Sequence, residues 1–236
     1  HAGIEAALAS AKMDCEALII TLRKDTIGLM SCNPAIGGVG KGQLVKEIDA
    51  LGGQMAKAAD ACAIQFRLLN SSKGPSVQSS RAQEDRQRYK EYMQGIISAR
   101  ENLEIIESEV IELLVKDNIY RGVKTKDGLE ILSKSAILSP GTFLNGLIHV
   151  GLKHFPGGRI NEEGAVSLSY SLKELGFRIL RFKTGTCARL DKTSINFSKL
   201  EIQEGDVAPR PFSFSTEEIK IKQAPCFITY TNPKTH

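Results

Sequence analysis

The feature that most constrains this chain is a glycine-rich loop, Ser-Cys-Asn-Pro-Ala-Ile-Gly-Gly-Val-Gly-Lys-Gly, running from Ser31 to Gly42. Glycine reaches backbone conformations closed to other residues, and a cluster of it lets main-chain N–H groups approach a ligand with no Cβ between them. Leu44, Val45, Ile48 and Leu51 follow at helical spacing, and Gly52-Gly53 ends that helix. A glycine loop that opens onto a helix amino terminus favours an anion, because unpaired N–H groups and the helix dipole point the same way. For any one glycine a tight turn explains as much.

The surroundings of the loop read as α/β. A helix is predicted from about residue 3 to residue 13, with Ala2, Ala6, Ala7 and Ala11 as small residues along one side. Ala17 to Ile20 then reads as a short buried strand, and helix plus strand form the second half of a βαβ unit whose first strand is missing. Arg81 to Arg100 reads as a charged helix, with Arg81–Asp85 and Glu84–Arg88 as i, i+4 pairs on a solvated face. Strand runs follow over Leu103–Val115 and Ile119–Thr125, then Asp127-Gly128 as a turn and Leu129–Leu132 as the return strand. Ser135 to Ser139 reads as one more strand, closed by Pro140-Gly141. This order suits a dinucleotide fold over residues 1–150 in which an antiparallel meander replaces one crossover helix. Residues 151–236, with a helix marked by Leu168, Leu172 and Leu175, read as an incomplete second region. The abrupt first and last residues both read as cuts.

Composition narrows the function classes. A net charge of +4 over 236 residues permits an RNA partner without demanding one. There is no tryptophan, so a stacking platform for single-stranded bases is not evident. Cys15, Cys32, Cys62, Cys187 and Cys226 lie far apart, with no C-x-x-C spacing. Neither a zinc site nor a disulfide framework is expected; reduced thiols in a cytoplasmic protein are the simplest reading, with no metal and no membrane span.

The loop Ser31–Gly42 resembles, residue for residue, the corresponding motif of the GidA/MnmG family. The likeness continues through Leu44-Val45-Lys46-Glu47, Asp49-Ala50-Leu51-Gly52-Gly53, Ile64-Gln65-Phe66-Arg67, Ser72-Lys73-Gly74-Pro75 and Arg81-Ala82-Gln83. It resumes at Gly141-Thr142-Phe143-Leu144, Gly157-Gly158-Arg159, Lys183-Thr184-Gly185-Thr186 and Ile228-Thr229-Tyr230-Thr231-Asn232. The resemblance implies an FAD/NAD(P)-binding Rossmann-like domain of the glutathione-reductase type, truncated at its first strand. It also implies a flavoenzyme that adds a (carboxymethyl)aminomethyl group to C5 of the wobble uridine of tRNA. FAD, NADH as reductant, methylene-tetrahydrofolate as carbon donor, a GTPase partner (MnmE-like) and a homodimer belong to that implication. A folate-dependent tRNA uracil methyltransferase and a generic FAD-dependent oxidoreductase are the competing readings.

The resemblance also implies roles for residues. Cys32 is the candidate nucleophile, a thiolate adding at C6 of uracil to raise electron density at C5. Cofactor contacts are expected from His1, Ala2 and Gly3, where Gly3 would be the last glycine of a G-x-G-x-x-G fingerprint. Further contacts are expected from Ser31, Asn33, Gly37, Gly38, Lys41, Val110, Gly141 and Thr142. Arg81, Arg159 and Lys183 are candidates for RNA contact. Two departures stand out: Thr21-Leu22-Arg23 offers no carboxylate nearer than Asp25 for a ribose, and Cys187-Ala188 replaces two family prolines. The other four cysteines are expected to be packing residues only.

Overall fold

The computed structural model describes residues 1–236. Elements follow in chain order as α1 (Ala2–Lys12), β1 (Ala17–Thr21), β2 (Ala35–Gly37), α2 (Lys41–Ala50), α3 (Met55–Cys62), β3 (Ala63–Leu69), β4 (Ser79–Glu84) and α4 (Arg86–Ser98). Then come β5 (Leu103–Glu107), β6 (Val110–Lys116), β7 (Ile119–Thr125), β8 (Glu130–Leu132), β9 (Leu147–Val150), β10 (Lys153–Pro156), α5 (Ser167–Glu174), β11 (Glu201–Gln203) and β12 (Cys226–Ile228). The chain divides into two compact units, each discontinuous: His1–Ile27 with Ile97–Thr184, and Gly28–Ile96 with Gly185–His236. Residue 150, where the sequence changes character, lies inside the first of these.

In the first unit β1 and β5 pair in parallel, Ala17 against Leu103 through Thr21 against Glu107. The α1 helix presents Ile4, Leu8 and Ala11 as its buried stripe, the i, i+4, i+7 face of an amphipathic helix. Asn102 Nδ2 donates to the carbonyls of Ala11 and Cys15 at 2.9 and 3.0 Å, tying the end of α1 to the start of β5. The expected meander is present: β6, β7 and β8 are consecutive antiparallel partners. Thr125, fully buried, closes the β7–β8 turn by bonding the amide and carbonyl of Leu129. Helix α5 packs on β6 through Leu168 and Leu172, and the Leu113 amide donates to Ser171 Oγ at 3.2 Å. The segment Ser135–Ser139, expected as a strand, is not one. It has no ladder partner and lies exposed, because strand composition alone cannot supply the neighbour that a strand needs.

The second unit is built on the antiparallel sheet β2-β4-β3, with β4 central. This corrects the expectation of a single charged helix from Arg81 to Arg100. Residues through Glu84 form β4, and the helix starts only at Arg86, where Asp85 Oδ1 accepts the amides of Gln87 and Arg88 at 2.9 and 3.0 Å. That is ordinary N-cap chemistry, and it places the helix start after the strand. The i, i+4 pairs expected there are therefore absent, and Glu84 is buried inside the unit at 2% exposure. Helix α3 fits closely because Ala56, Ala58 and Ala59 have no exposed surface. Phe66 of β3 and Phe212 fill the interior with ring centroids 6.3 Å apart.

The returning chain is latched to this interior by two acids. Asp60 of α3 accepts the Phe212 amide at 2.7 Å and the Ser213 amide at 2.9 Å, one on each carboxylate oxygen. Asp49 of α2 takes the next amide, that of Phe214, at 2.7 Å. Lys46 completes the latch, donating to the carbonyls of Pro211 and Phe212 at 3.1 and 3.2 Å. Buried main-chain amides require acceptors, and these carboxylates provide them where no strand does.

Candidate active site

The glycine loop is held from below by β4. The Gly38 amide donates to the Ser80 carbonyl at 2.9 Å, and Ser79 Oγ donates to the Gly38 carbonyl at 2.6 Å. The same Gly38 carbonyl accepts the amides of Lys41 and Gly42 at 2.9 and 2.8 Å, which starts α2 directly from the loop. Gly37 has φ +85°, and a Cβ there would stand 2.3 Å from the Ser80 carbonyl oxygen and 2.6 Å from Phe212. Gly38 and Gly40 also have positive φ, yet a Cβ on either would meet nothing within 4 Å. The loop is thus pinned at Gly37 and open at Gly38 and Gly40. Lys41, the first residue of α2, is exposed.

Cys32, the second residue of this loop, is half-buried. Its thiol donates to the Gly185 carbonyl at 3.1 Å. The Arg189 guanidinium bridges the same neighbourhood: Nη2 donates to the Cys32 carbonyl, and Nη1 donates to Cys187 Sγ at 2.8 Å. Cys187 in turn donates its S–H to Asn33 Oδ1 at 3.0 Å. Cys32, Asn33, Gly185, Cys187 and Arg189 therefore form one network. Sequence reasoning had assigned Cys187 to packing; its place in the network was not visible because its link to the loop, through Asn33, spans 154 residues. The signal that could have found it is the departure from proline beside the Lys-Thr-Gly-Thr motif.

The remaining thiols are elsewhere. Cys62 is buried, and desolvation followed by the charge of Glu84 pushes its thiol up to about 11, which suits packing and not nucleophilic chemistry. Cys226 donates to Gln65 Oε1 at 3.3 Å, and exposed Cys15 donates weakly to the Met13 carbonyl at 3.7 Å. No group of three or more His, Cys, Asp or Glu side chains is placed to hold a metal. No helix is long and apolar enough to cross a membrane.

The other residues singled out from the sequence lie in the first unit, apart from Ser31 and Arg81. Gly3 is a glycine for a local reason, since a Cβ there would sit 2.5 Å from Ser139 Oγ, and this contact brings the start of α1, with His1 and Ala2, beside the chain leading to Gly141. Val110 opens β6 opposite Thr125. Gly141 has φ +57°, and Thr142 Oγ1 is engaged by the Gly158 carbonyl at 2.8 Å. Arg159 is tied to Glu162, with Nε 2.7 Å from Oε1 and Nη2 2.9 Å from Oε2, and lies over the Phe143 ring. Lys183 is exposed. Asp25 is held by the Arg23 guanidinium at 2.6 and 2.9 Å, so the nearest carboxylate after β1 is already in use. In the second unit Ser31 is exposed, and Arg81 stands on β4 opposite Gly37.

Comparison with known proteins gives a concordant result. The profile of the family described as glucose inhibited division protein A matches residues 1–236. The tRNA uridine 5-carboxymethylaminomethyl modification enzyme MnmG of Geobacter sulfurreducens is 56% identical over all of this chain and 38% of its own length. Its counterpart from Campylobacter fetus is 55% identical with the same coverage. The crystal structure of Aquifex aeolicus GidA superposes with a TM-score of 0.95 at 51% identity, covering 99% of this chain and 40% of that one. A GidA-related protein from Thermus thermophilus, 18% identical with a TM-score of 0.54, shares the fold alone. The chain spans about two-fifths of the length of the relatives it matches. With a glycine loop on a three-stranded sheet, a parallel β1–β5 pair and a whole-length profile match, this α/β chain belongs to the glucose inhibited division protein A family.

Proposed function

We propose that this chain is the amino-terminal, FAD-binding part of an enzyme that adds a (carboxymethyl)aminomethyl group to C5 of the wobble uridine of tRNA. The observation that carries the reading is the 56% identity, over every residue here, to a protein named for that modification. The reading extends to NADH as reductant, methylene-tetrahydrofolate as carbon donor, an MnmE-like GTPase partner, a second copy of the protein and action in the cytoplasm.

The residues present fit a flavin. Gly38 and Gly40 have positive φ and free space where a side chain would be, and Gly40 leads into the amino terminus of α2. A planar ring or a phosphate can lie against such backbone without steric conflict. Gly37, Ser31, Asn33 and Lys41 belong to the same loop. Within the first unit taken by itself, Gly3, Val110, Gly141 and Thr142 are the proposed cofactor contacts. A bound flavin supplies electron transfer from a nicotinamide.

Cys32 is the nucleophile in this reading. Its proton leaves and Sγ bonds to C6 of the uracil, so that the electron pair of the C5–C6 bond becomes available at C5. C5 then bonds to the incoming carbon, whose leaving group departs with its electron pair; C5 loses its proton, the Sγ–C6 bond breaks, and the departing thiolate takes up a proton to restore the thiol. Arg189, on the carbonyl of Cys32, fixes the backbone from which the thiol acts. The Gly185 carbonyl orients the thiol before reaction.

The experiment is reconstitution of the complete gene product with FAD, NADH, methylene-tetrahydrofolate, its GTPase partner and unmodified tRNA, followed by mass spectrometry of the wobble nucleoside. An aminomethyl-type mass gain is expected. A simple methyl gain supports the uracil methyltransferase reading, and flavin-dependent NADH oxidation with unchanged tRNA supports a generic oxidoreductase.

A further inference from the structure

The register of the second unit's sheet places Arg67, Arg81 and Gly37 in one row. Arg67 of β3 pairs with Arg81 of β4, and Arg81 pairs on its other side with Gly37 of β2. Residues directly opposite on antiparallel strands share a face about 5 Å apart, and like charges there repel. The ion pairs join Arg23 to Asp25, Lys126 to Glu109, Arg159 to Glu162 and Lys220 to Glu218, so neither Arg67 nor Arg81 has a carboxylate partner.

A third guanidinium adds to the imbalance. Arg67 lines a cavity of about 190 Å³ together with Arg210, Ser71 and Ser80. One acid, Asp206, also lines it and holds the Leu68 amide on Oδ2 at 2.7 Å, so the wall carries two guanidinium groups to one carboxylate. Arg67 itself is positioned by a bond from Nη1 to the Glu204 carbonyl at 3.3 Å. The third member of the row, Gly37, is the one where a Cβ would meet the Ser80 carbonyl and Phe212, and its neighbour Gly38 has open space where a Cβ would be.

We propose that Arg67 and its strand partner Arg81, with Arg210 beside Arg67 in the cavity wall, form a phosphate subsite whose ligand is the sugar-phosphate backbone of the RNA substrate. A phosphate between two guanidinium groups turns their repulsion into charge-assisted bonds, and planar, multiply donating arginine suits its oxygens. The serine hydroxyls beside Arg67 supply neutral donors. A phosphate can also come from a dinucleotide, and the test separates the two sources. The assignment of RNA rests on the tRNA-modification reading; the phosphate chemistry rests on the row itself.

The test uses the complete gene product and its Arg67→Gln and Arg81→Gln forms, with Arg67→Lys and Arg81→Lys as charge-retaining controls. Melting curves establish that each variant is folded. Binding of fluorescein-labelled tRNA, of NADH and of inorganic tripolyphosphate is measured between about 50 and 200 mM salt, a range over which phosphate contacts are strongly screened. Each Gln variant is expected to weaken tRNA about tenfold and to reduce the salt slope by about one, while the Lys forms retain most of the slope. Loss confined to NADH keeps the phosphate subsite but makes a dinucleotide its ligand. A parent protein that binds no tRNA overturns the wobble reading, and the subsite is then judged on tripolyphosphate alone. Equal affinities and slopes for parent and Gln variants, for all three ligands, overturn the proposal.

Discussion

Gly185 accepts the thiol proton of Cys32 at 3.1 Å, across 153 residues of chain. The bond stores the thiol as a donor, and reaction at a pyrimidine requires the proton to leave. Two cysteines of the same unit are thus in opposite situations. Cys32 is partly accessible within a network of Asn33, Cys187 and Arg189, while Cys62 is closed off beneath β4.

Cys32→Ala in the complete gene product is expected to lower wobble modification by about a hundredfold or more while leaving flavin bound. Cys62→Ala should be close to silent in activity. Single-turnover modification with the flavin spectrum recorded in parallel separates chemistry from cofactor loss. Parental rates in Cys32→Ala would make the thiol a structural group.

Glu84 gives stability a pH dependence of unusual sign. Neither carboxylate oxygen has a hydrogen-bond partner, and burial first, then the charge of Asp60, pushes its carboxyl from 4.5 up to about 9. The native state therefore keeps a proton that the unfolded chain releases near 4.5. Stability falls as pH rises from about 4.5 toward 9, by up to roughly 1.4 kcal/mol per pH unit. Cys62, Asp85 and Arg88 are the other charged or titratable groups in that neighbourhood. Urea unfolding of parent and Glu84→Gln at pH 5, 7 and 8.5 checks this: the slope should largely disappear in the variant. A slope that survives the substitution would assign it to other groups.

Gly37→Ala and Gly38→Ala separate strain from collision. Both positions have positive φ, which costs about 1–2 kcal/mol for an alanine. Only Gly37 would also drive a Cβ into the Ser80 carbonyl oxygen and Phe212. Gly37→Ala should destabilise by about 3 kcal/mol or more, roughly twice the effect of Gly38→Ala. Thermal denaturation of the two variants side by side measures the difference, and equal melting temperatures would contradict it.

Asp60→Ala leaves the amides of Phe212 and Ser213 buried without acceptors, at about 1–3 kcal/mol each. Asp60→Asn keeps one acceptor oxygen and should fall between parent and alanine. Hydrogen exchange at Phe212 and Ser213 should accelerate in the same order. Unchanged protection in Asp60→Ala would mean that the Phe212 ring alone seats this segment.

Local pattern carried much of this fold and little of its wiring. Alternation and turn chemistry marked β6, β7 and β8, whose pairings are between neighbours in sequence. The helix after the glycine loop was also legible, although Leu44 and Leu51 prove exposed and Gly42, Val45 and Asp49 form its buried face. The charged run at Arg81–Glu84 looked helical because its strand character comes from β2 and β3 on either side, not from its own residues. Ser135–Ser139 failed in the other direction, strand-like in composition with nothing to pair. Cys32 stood out through its motif, but its partners Gly185, Cys187 and Arg189 could only be found in three dimensions. The same holds for Asp49 and Asp60, whose role as amide acceptors appears only with the returning chain in place.

The latch between Asp60 and the Phe212–Ser213 amides has a consequence for how the protein is made. Its halves are separated by 152 and 153 residues, and Phe212 is wholly enclosed when they meet. On a ribosome extending the chain at about 5–20 residues per second, α3 waits roughly 8 to 30 s for the ring that fills the space beside Phe66. During that interval the first unit's local meander can form, since its contacts are short in sequence, while the glycine-loop sheet stays open on its Phe66 side. The nascent chain therefore displays an unfilled apolar cleft flanked by two acids until residue 212 leaves the exit tunnel.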